Sequence, residues 1–218
     1  MMALNKVLAA VTIAASAIAF TATPANASLT TTISGGFGSV SSGQVLNTFN
    51  VLTVFPNTGG FINTSFVGQG MLSGGSLWES GLTSSGVSSY SVVFTETGIN
   101  LSGSALFASL FNTNNIGGGV TVSRQLFFDP TNAGLQSILL TSSNVSSFGS
   151  VSLQSAAQLI SGPFSLTEVI QVSGATSPGS SVSLDDTVHV PEPGAIAIMI
   201  GALLSILGLG TLRRGAGA

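Results

Sequence analysis

Apolar residues recur at every second position through much of this chain, in short runs that clusters of Gly, Asn, Pro and Ser interrupt. Side chains two apart share a face only in an extended strand, so the period selects strands over amphipathic helices. The runs are 45–55, 90–96, 103–111, 120–128, 166–172 and 182–190. The breaks between them include 56–60, 112–119, 129–134 and 173–183. In 45–55, Val45, Phe49, Val51 and Phe55 fall on one face and Leu46, Leu52 and Val54 on the other, which predicts an inner strand covered on both sides. In the last run Val182, Leu184, Val188 and Val190 share a face with Asp186, opposite Ser181, Ser183, Asp185, Thr187 and His189. Only 135–140 and 151–160 admit a helix, and the second reads almost as well as a strand. The pattern predicts an all-β body, an antiparallel sandwich or jelly roll.

Charge narrows the function. Asp, Glu, Lys and Arg make up 5% of the residues, against about 25% in ordinary soluble domains. Beyond residue 27, Arg124 is the one basic residue before Arg213, while Glu79, Glu96, Asp129, Glu168, Asp185 and Asp186 are acidic. A nucleic-acid surface needs clustered Lys and Arg to displace phosphate counterions, so nucleic acid is excluded as a partner. Glycine pairs such as Gly59-Gly60 and Gly74-Gly75 form no phosphate loop and read as turns. With no Cys and a single His, neither a disulfide nor a His/Cys zinc site is available.

His189 lacks the G-x-S-x-G elbow of a serine hydrolase and reads as an exposed structural residue. Asp185-Asp186, and Asp129 with Asn132, could offer oxygens to calcium, but neither stretch follows the EF-hand loop, and these acids read as solvated turn residues. Glu79, Glu96 and Glu168 supply carboxyls for glycosidase chemistry without any spacing that brings two together. Trp78 and Tyr90 read as core or its edge rather than a sugar-stacking platform. Asn63, Asn100 and Asn144 open N-x-[ST] sequons, and glycans there would explain solubility without charge. No catalytic, cofactor or metal residue is assigned, and the expectation is a non-enzyme.

The termini match different templates. Residues 1–27 carry Lys6, an apolar stretch over 7–20 and then Ala25-Asn26-Ala27, the plan of a secretory signal peptide that signal peptidase cuts to leave Ser28 first. At the other end Pro191-Glu192-Pro193 forms a stiff, extended tether. Residues 195–212 then carry no charge, and Arg213-Arg214 follow. At 1.5 Å per residue that run spans about 27 Å as a helix, near the ~30 Å hydrocarbon core. The arginines predict a cytoplasmic end, with the body outside.

This tail resembles the PEP-CTERM sorting domain of Gram-negative bacteria: Val190-Pro191-Glu192-Pro193, a span rich in small and aliphatic residues, then paired arginines. The resemblance implies that Pro191, Glu192 and Pro193 are recognition residues for an exosortase, that 195–212 spans the membrane transiently, and that Arg213 and Arg214 are the cytoplasmic stop. The resulting division is a signal peptide over 1–27, a β-rich extracytoplasmic passenger domain over 28–189, a sorting and membrane segment over 190–214 and a short cytoplasmic tail over 215–218. The expected route runs through an inner-membrane intermediate to the cell surface or extracellular matrix. The expected role is structural or interactive, with extracellular polysaccharide and self-association among the partners. The alternatives are a secreted polysaccharide-active enzyme and a permanently membrane-tethered binding module.

Overall fold

Fifteen strands account for nearly all the regular structure in the computed structural model, which describes residues 28–42, 45–46, 48–55, 60–68, 76–101, 103–117, 119–174 and 181–190. Ala25, Ala27, Pro191, Glu192, Pro193, Arg213 and Arg214 lie outside the described residues, as do the signal peptide and the 195–212 span. Among the described residues no helix is long and apolar enough to cross a membrane.

The strands are β1 (Ser28–Gly35), β2 (Gly38–Ser41), β3 (Val45–Leu46), β4 (Thr48–Phe55), β5 (Gly60–Val67), β6 (Ser76–Ser85), β7 (Tyr90–Ile99) and β8 (Gly103–Ala105). They continue with β9 (Ala108–Ile116), β10 (Thr121–Asp129), β11 (Ile138–Val145), β12 (Gly149–Gln154), β13 (Gln158–Ile160), β14 (Phe164–Ser173) and β15 (Ser181–His189). Every pairing is antiparallel. Sheet A runs β11-β10-β14-β7-β1-β2, with β3 also paired to β1; sheet B runs β12-β9-β15-β6-β5-β4; β8 and β13 form a separate pair. Strands that are neighbours in the chain, β6/β7, β9/β10, β11/β12 and β14/β15, hold corresponding places in the two sheets. The body is therefore an antiparallel β-sandwich.

Period two explains the layering. Along β7, Tyr90, Val92 and Phe94 are buried while Ser91, Val93 and Thr95 are only half-buried; along β15, Val182, Leu184, Asp186 and Val188 are buried. The faces of the last strand fall as the sequence predicts. Phe66 of β5 lies 5.3 Å from Trp78 in its own sheet and 5.2 Å from Phe94 in sheet A, so one ring joins the two layers. A second aromatic group, Phe107, Phe128 and Phe164, has centroids 5.1–5.9 Å apart.

Several local expectations are corrected. The run over 45–55 is no single inner strand: Val45 and Leu46 form β3, paired to β1 of sheet A, and β4 is, among the described residues, an edge of sheet B with Leu52 and Val54 open to solvent. Asn112–Asn115, expected in a loop, belong to β9, because pairing with β12 and β15 supplies the backbone partners that their side chains do not encode. The two helix-capable stretches are extended: residues 138–140 lie in β11, while β12 and β13 occupy most of 151–160. Short apolar runs fit either period, and strand pairing decided between them.

Candidate functional site

Six carboxylates and one guanidinium make up the charge of the body, and the fold sorts them into buried and exposed sets. Glu96, Asp129, Glu168 and Asp186 are buried, which corrects the reading of Asp129 and Asp186 as solvated turn acids. Arg124 stands on the inward face of β10 between Val122 and Leu126, fully enclosed. Its Nε donates to Glu168 Oε1 of β14 at 3.0 Å, one terminal nitrogen donates to Thr141 Oγ1 of β11 at 2.5 Å, and the other pairs with Asp186 Oδ2 of β15. Ser80 of β6 donates to Glu168 Oε2 at 2.6 Å. The network crosses from sheet A to sheet B, because an unpaired buried charge is intolerable in this core. Two carboxylates share one cation, and no N–H or hydroxyl donor reaches Asp186 Oδ1. Burial first, then the charge and hydrogen bond of Glu168, push the Asp186 carboxyl well above the usual carboxylate range, while Arg124 pulls it down. Solvent cannot reach this cluster, so it holds the sheets together and offers no place to a ligand.

Asp129 has a second structural role. Its Oδ1 accepts from the Thr131 amide and hydroxyl at 2.9 and 2.7 Å, and its Oδ2 from the Ala133 and Leu135 amides at 3.0 and 3.1 Å. Burial raises its pKa, but these donors outweigh burial and hold the carboxyl well below the usual range. Asn132, at φ 59°, accepts the Gly98 amide through Oδ1 at 2.6 Å. The Asp129 and Asn132 oxygens considered for calcium are thus engaged by N–H and O–H donors. The loop they hold covers β14, where the Gly134 amide donates to Ser165 Oγ and the Thr167 hydroxyl to the Gly134 carbonyl.

What remains accessible converges on the outer face of sheet B. Glu79 and Asp185 are exposed there, and His189, half-buried, lies on the same face of β15 as Asp185 and Thr187. In register, Ser65 of β5, Gly81 of β6, Asp185 of β15 and Asn112 of β9 form one row across the sheet. Glu79 pairs with Thr187, one same-face step from Asp185, a diagonal relation of about 7–8 Å between residues. A Cβ at Gly81 would lie 2.5 Å from Ser65 Oγ and 3.3 Å from Asp185 Oδ1, so both side chains lean over the glycine from opposite sides. Asn114 Nδ2 donates to Asp185 Oδ2 at 2.7 Å and fixes the carboxylate. The result is a hydrogen-bonding platform with two carboxylates, in which the Ser65 and Asp185 side chains close over Gly81. Among the described residues no group of three His, Cys, Asp or Glu side chains is placed to hold a metal.

Sequence reasoning named Glu79, Asp185 and His189 without bringing them together, and it missed Ser65 and Gly81 entirely. A hydroxyl and a glycine on neighbouring strands have no local signature. Trp78 and Tyr90 are core residues, as expected: Trp78 faces Phe66, and the Tyr90 hydroxyl donates to Ser84 Oγ at 2.5 Å, with burial pushing its pKa up to about 12. Glu96 and Glu168 are enclosed and lie on no accessible face.

No family model matches the chain, and no curated protein matches it in sequence. Among solved structures it is similar to TmCBM61 in complex with β-1,4-galactotriose, at 9% identity and TM-score 0.35, over 65% of this chain and 86% of the other. It is similar to the adhesin domain of Epf from Streptococcus pyogenes, at 12% identity and TM-score 0.35, over 74% of this chain and 58% of the other. A third similarity is to the arabinose-bound α-L-arabinofuranosidase MgGH51, at 14% identity and TM-score 0.33, over 67% of this chain and 25% of the other. With an arabinofuranosidase among these similar structures, the expectation of a non-enzyme is withdrawn. At such scores none of the three assigns a ligand or an activity to this chain.

Proposed function

We propose that the body is an exported polysaccharide-binding module whose ligand lies on the outer face of sheet B. The convergence of Ser65 Oγ and Asp185 Oδ1 over Gly81 carries the reading. A sugar hydroxyl is donor and acceptor at once, and this face offers both in a row: hydroxyls, amides and a fixed carboxylate. The exposed Glu79 and Asp185, with no Lys or Arg on the described part of the face, favour a neutral glycan over an acidic one. Isothermal titration of the full chain against neutral and uronate-containing polysaccharides tests this. Binding is expected with the neutral set, and Asp185→Ala or Gly81→Val weakens it about tenfold or more. Loss confined to Arg124 or Phe66 variants would remove the site from this face.

A second reading, a polysaccharide-active enzyme, is favoured by the diagonal placement of Glu79 and Asp185. Release of reducing ends that falls about 10²–10⁴-fold in Glu79→Gln, with glycan affinity retained, distinguishes it from binding alone.

The route to the surface rests on the termini: export by residues 1–27 and exosortase sorting at Pro191-Glu192-Pro193, with Arg213 and Arg214 as the stop. Terminal-peptide mass spectrometry on material from the source bacterium is expected to find Ser28 at the start and an end beside Pro191-Glu192-Pro193. An intact Ala218 in the inner membrane would make the tail a permanent anchor and the protein a tethered module.

A further inference from the structure

Sheet B ends on β4, and among the described residues this strand pairs only with β5. The pairing runs from Thr48↔Val67 to Phe55↔Gly60 without a register shift. A regular strand turns alternate N–H and C=O groups toward its free side, so β4 offers a row of donors and acceptors to another strand. Edges are usually closed to such pairing by a charge, a proline or a bulge, and 48–55 contains none of these. Leu52 and Val54 are 63% and 59% exposed on its outer side, whereas Val51 packs against the core. At the other edge of the same sheet, β12 presents the exposed polar residues Ser150, Ser152 and Gln154.

We infer that β4 is a seam at which two copies of this chain join their B sheets by antiparallel pairing centred on Thr53. A two-fold axis at Thr53 pairs residues 51–55 of the two copies and sets Leu52 of each opposite Val54 of the other, so each exposed apolar side chain gains one apolar neighbour across the seam. Centring the axis on Leu52 would place Val54 opposite Asn50 and leave an apolar side chain against an amide. The stretch matches itself and carries no charge, so identical strands approach without repulsion, and a second copy satisfies the edge better than an unrelated strand. The seam extends the outer face that carries Ser65 and Asp185 across both copies, but it does not depend on what that face binds.

The chain has no cysteine, which makes the register directly readable. Opposed residues in an antiparallel pair are about 4.5–5.5 Å apart at Cα, within the reach of a disulfide. Full-length Leu52→Cys and Val54→Cys variants in detergent are oxidised separately and as an equimolar mixture. The mixture is expected to give disulfide dimers several-fold above either variant alone, because position 52 faces position 54. The double variant Leu52→Lys/Val54→Lys, folded by circular dichroism, is expected to dimerise about tenfold more weakly in sedimentation. Equal crosslinking of all samples, as an apolar tail association would give, overturns the inference. So does a monomeric Leu52→Cys variant whose thiol is shielded from thiol reagents, which would mean that another segment of the same chain covers the edge.

Discussion

Replacing Arg124 with methionine is expected to lower the unfolding free energy by about 3–5 kcal/mol, because it leaves two carboxylates in the core without their cation. At about 2–4 °C per kcal/mol for a domain of this size, the melting temperature falls by about 6–20 °C. Denaturant titration followed by Trp78, the chain's one tryptophan, measures the loss at a site inside the sandwich. Replacing all three charged members, Arg124→Met with Glu168→Leu and Asp186→Leu, is expected to recover most of it, since an apolar triad incurs no desolvation. A triple variant as unstable as the single one would mean that the network's hydrogen bonds to Ser80 and Thr141 matter more than its charges.

The pH dependence follows from the same cluster. Asp186 holds its proton more tightly folded than unfolded. Its contribution is therefore full below the unfolded value of 3.8 and declines as pH rises through the raised folded value. Asp129 has the opposite sign: its contribution is present above 3.8 and declines on acidification. Asp186→Asn keeps an acceptor for Arg124 and removes the titration, so stability should change less between weakly acidic and neutral pH than in the parent. An unchanged slope would place the proton elsewhere.

Phe66→Ala is the second large loss, about 3–5 kcal/mol. Phe66 is fully buried and touches aromatic rings in both sheets, Trp78 and Phe94, so truncation leaves a cavity at the layer boundary that neither sheet can close alone. A red-shifted Trp78 emission in the folded variant is expected as water gains access. Phe66→Leu, which refills most of the volume, should recover the greater part of the stability. If Phe66→Ala costs less than about 1 kcal/mol, the sandwich has collapsed around the gap.

The sequence by itself determined the fold class, because a period of two survives any tertiary context: Val182, Leu184 and Val188 had to share a face, and Ser183, Asp185 and Thr187 the other. It also held a signal for the core network in retrospect, since Arg124 occurs in phase with Val122, Leu126 and Phe128. A lone cation on an apolar face has to be buried with acids. Which acids those are was a tertiary decision, made when β14 and β15 were brought to β10 from opposite sheets. The same holds for β4, whose pattern is equally compatible with an inner strand and an edge until strand order is known. It holds most of all for the Ser65, Gly81 and Asp185 row. Those residues are up to 120 positions apart in the chain and become neighbours only through register, which is set by backbone pairing across strands and leaves no trace in any one of them.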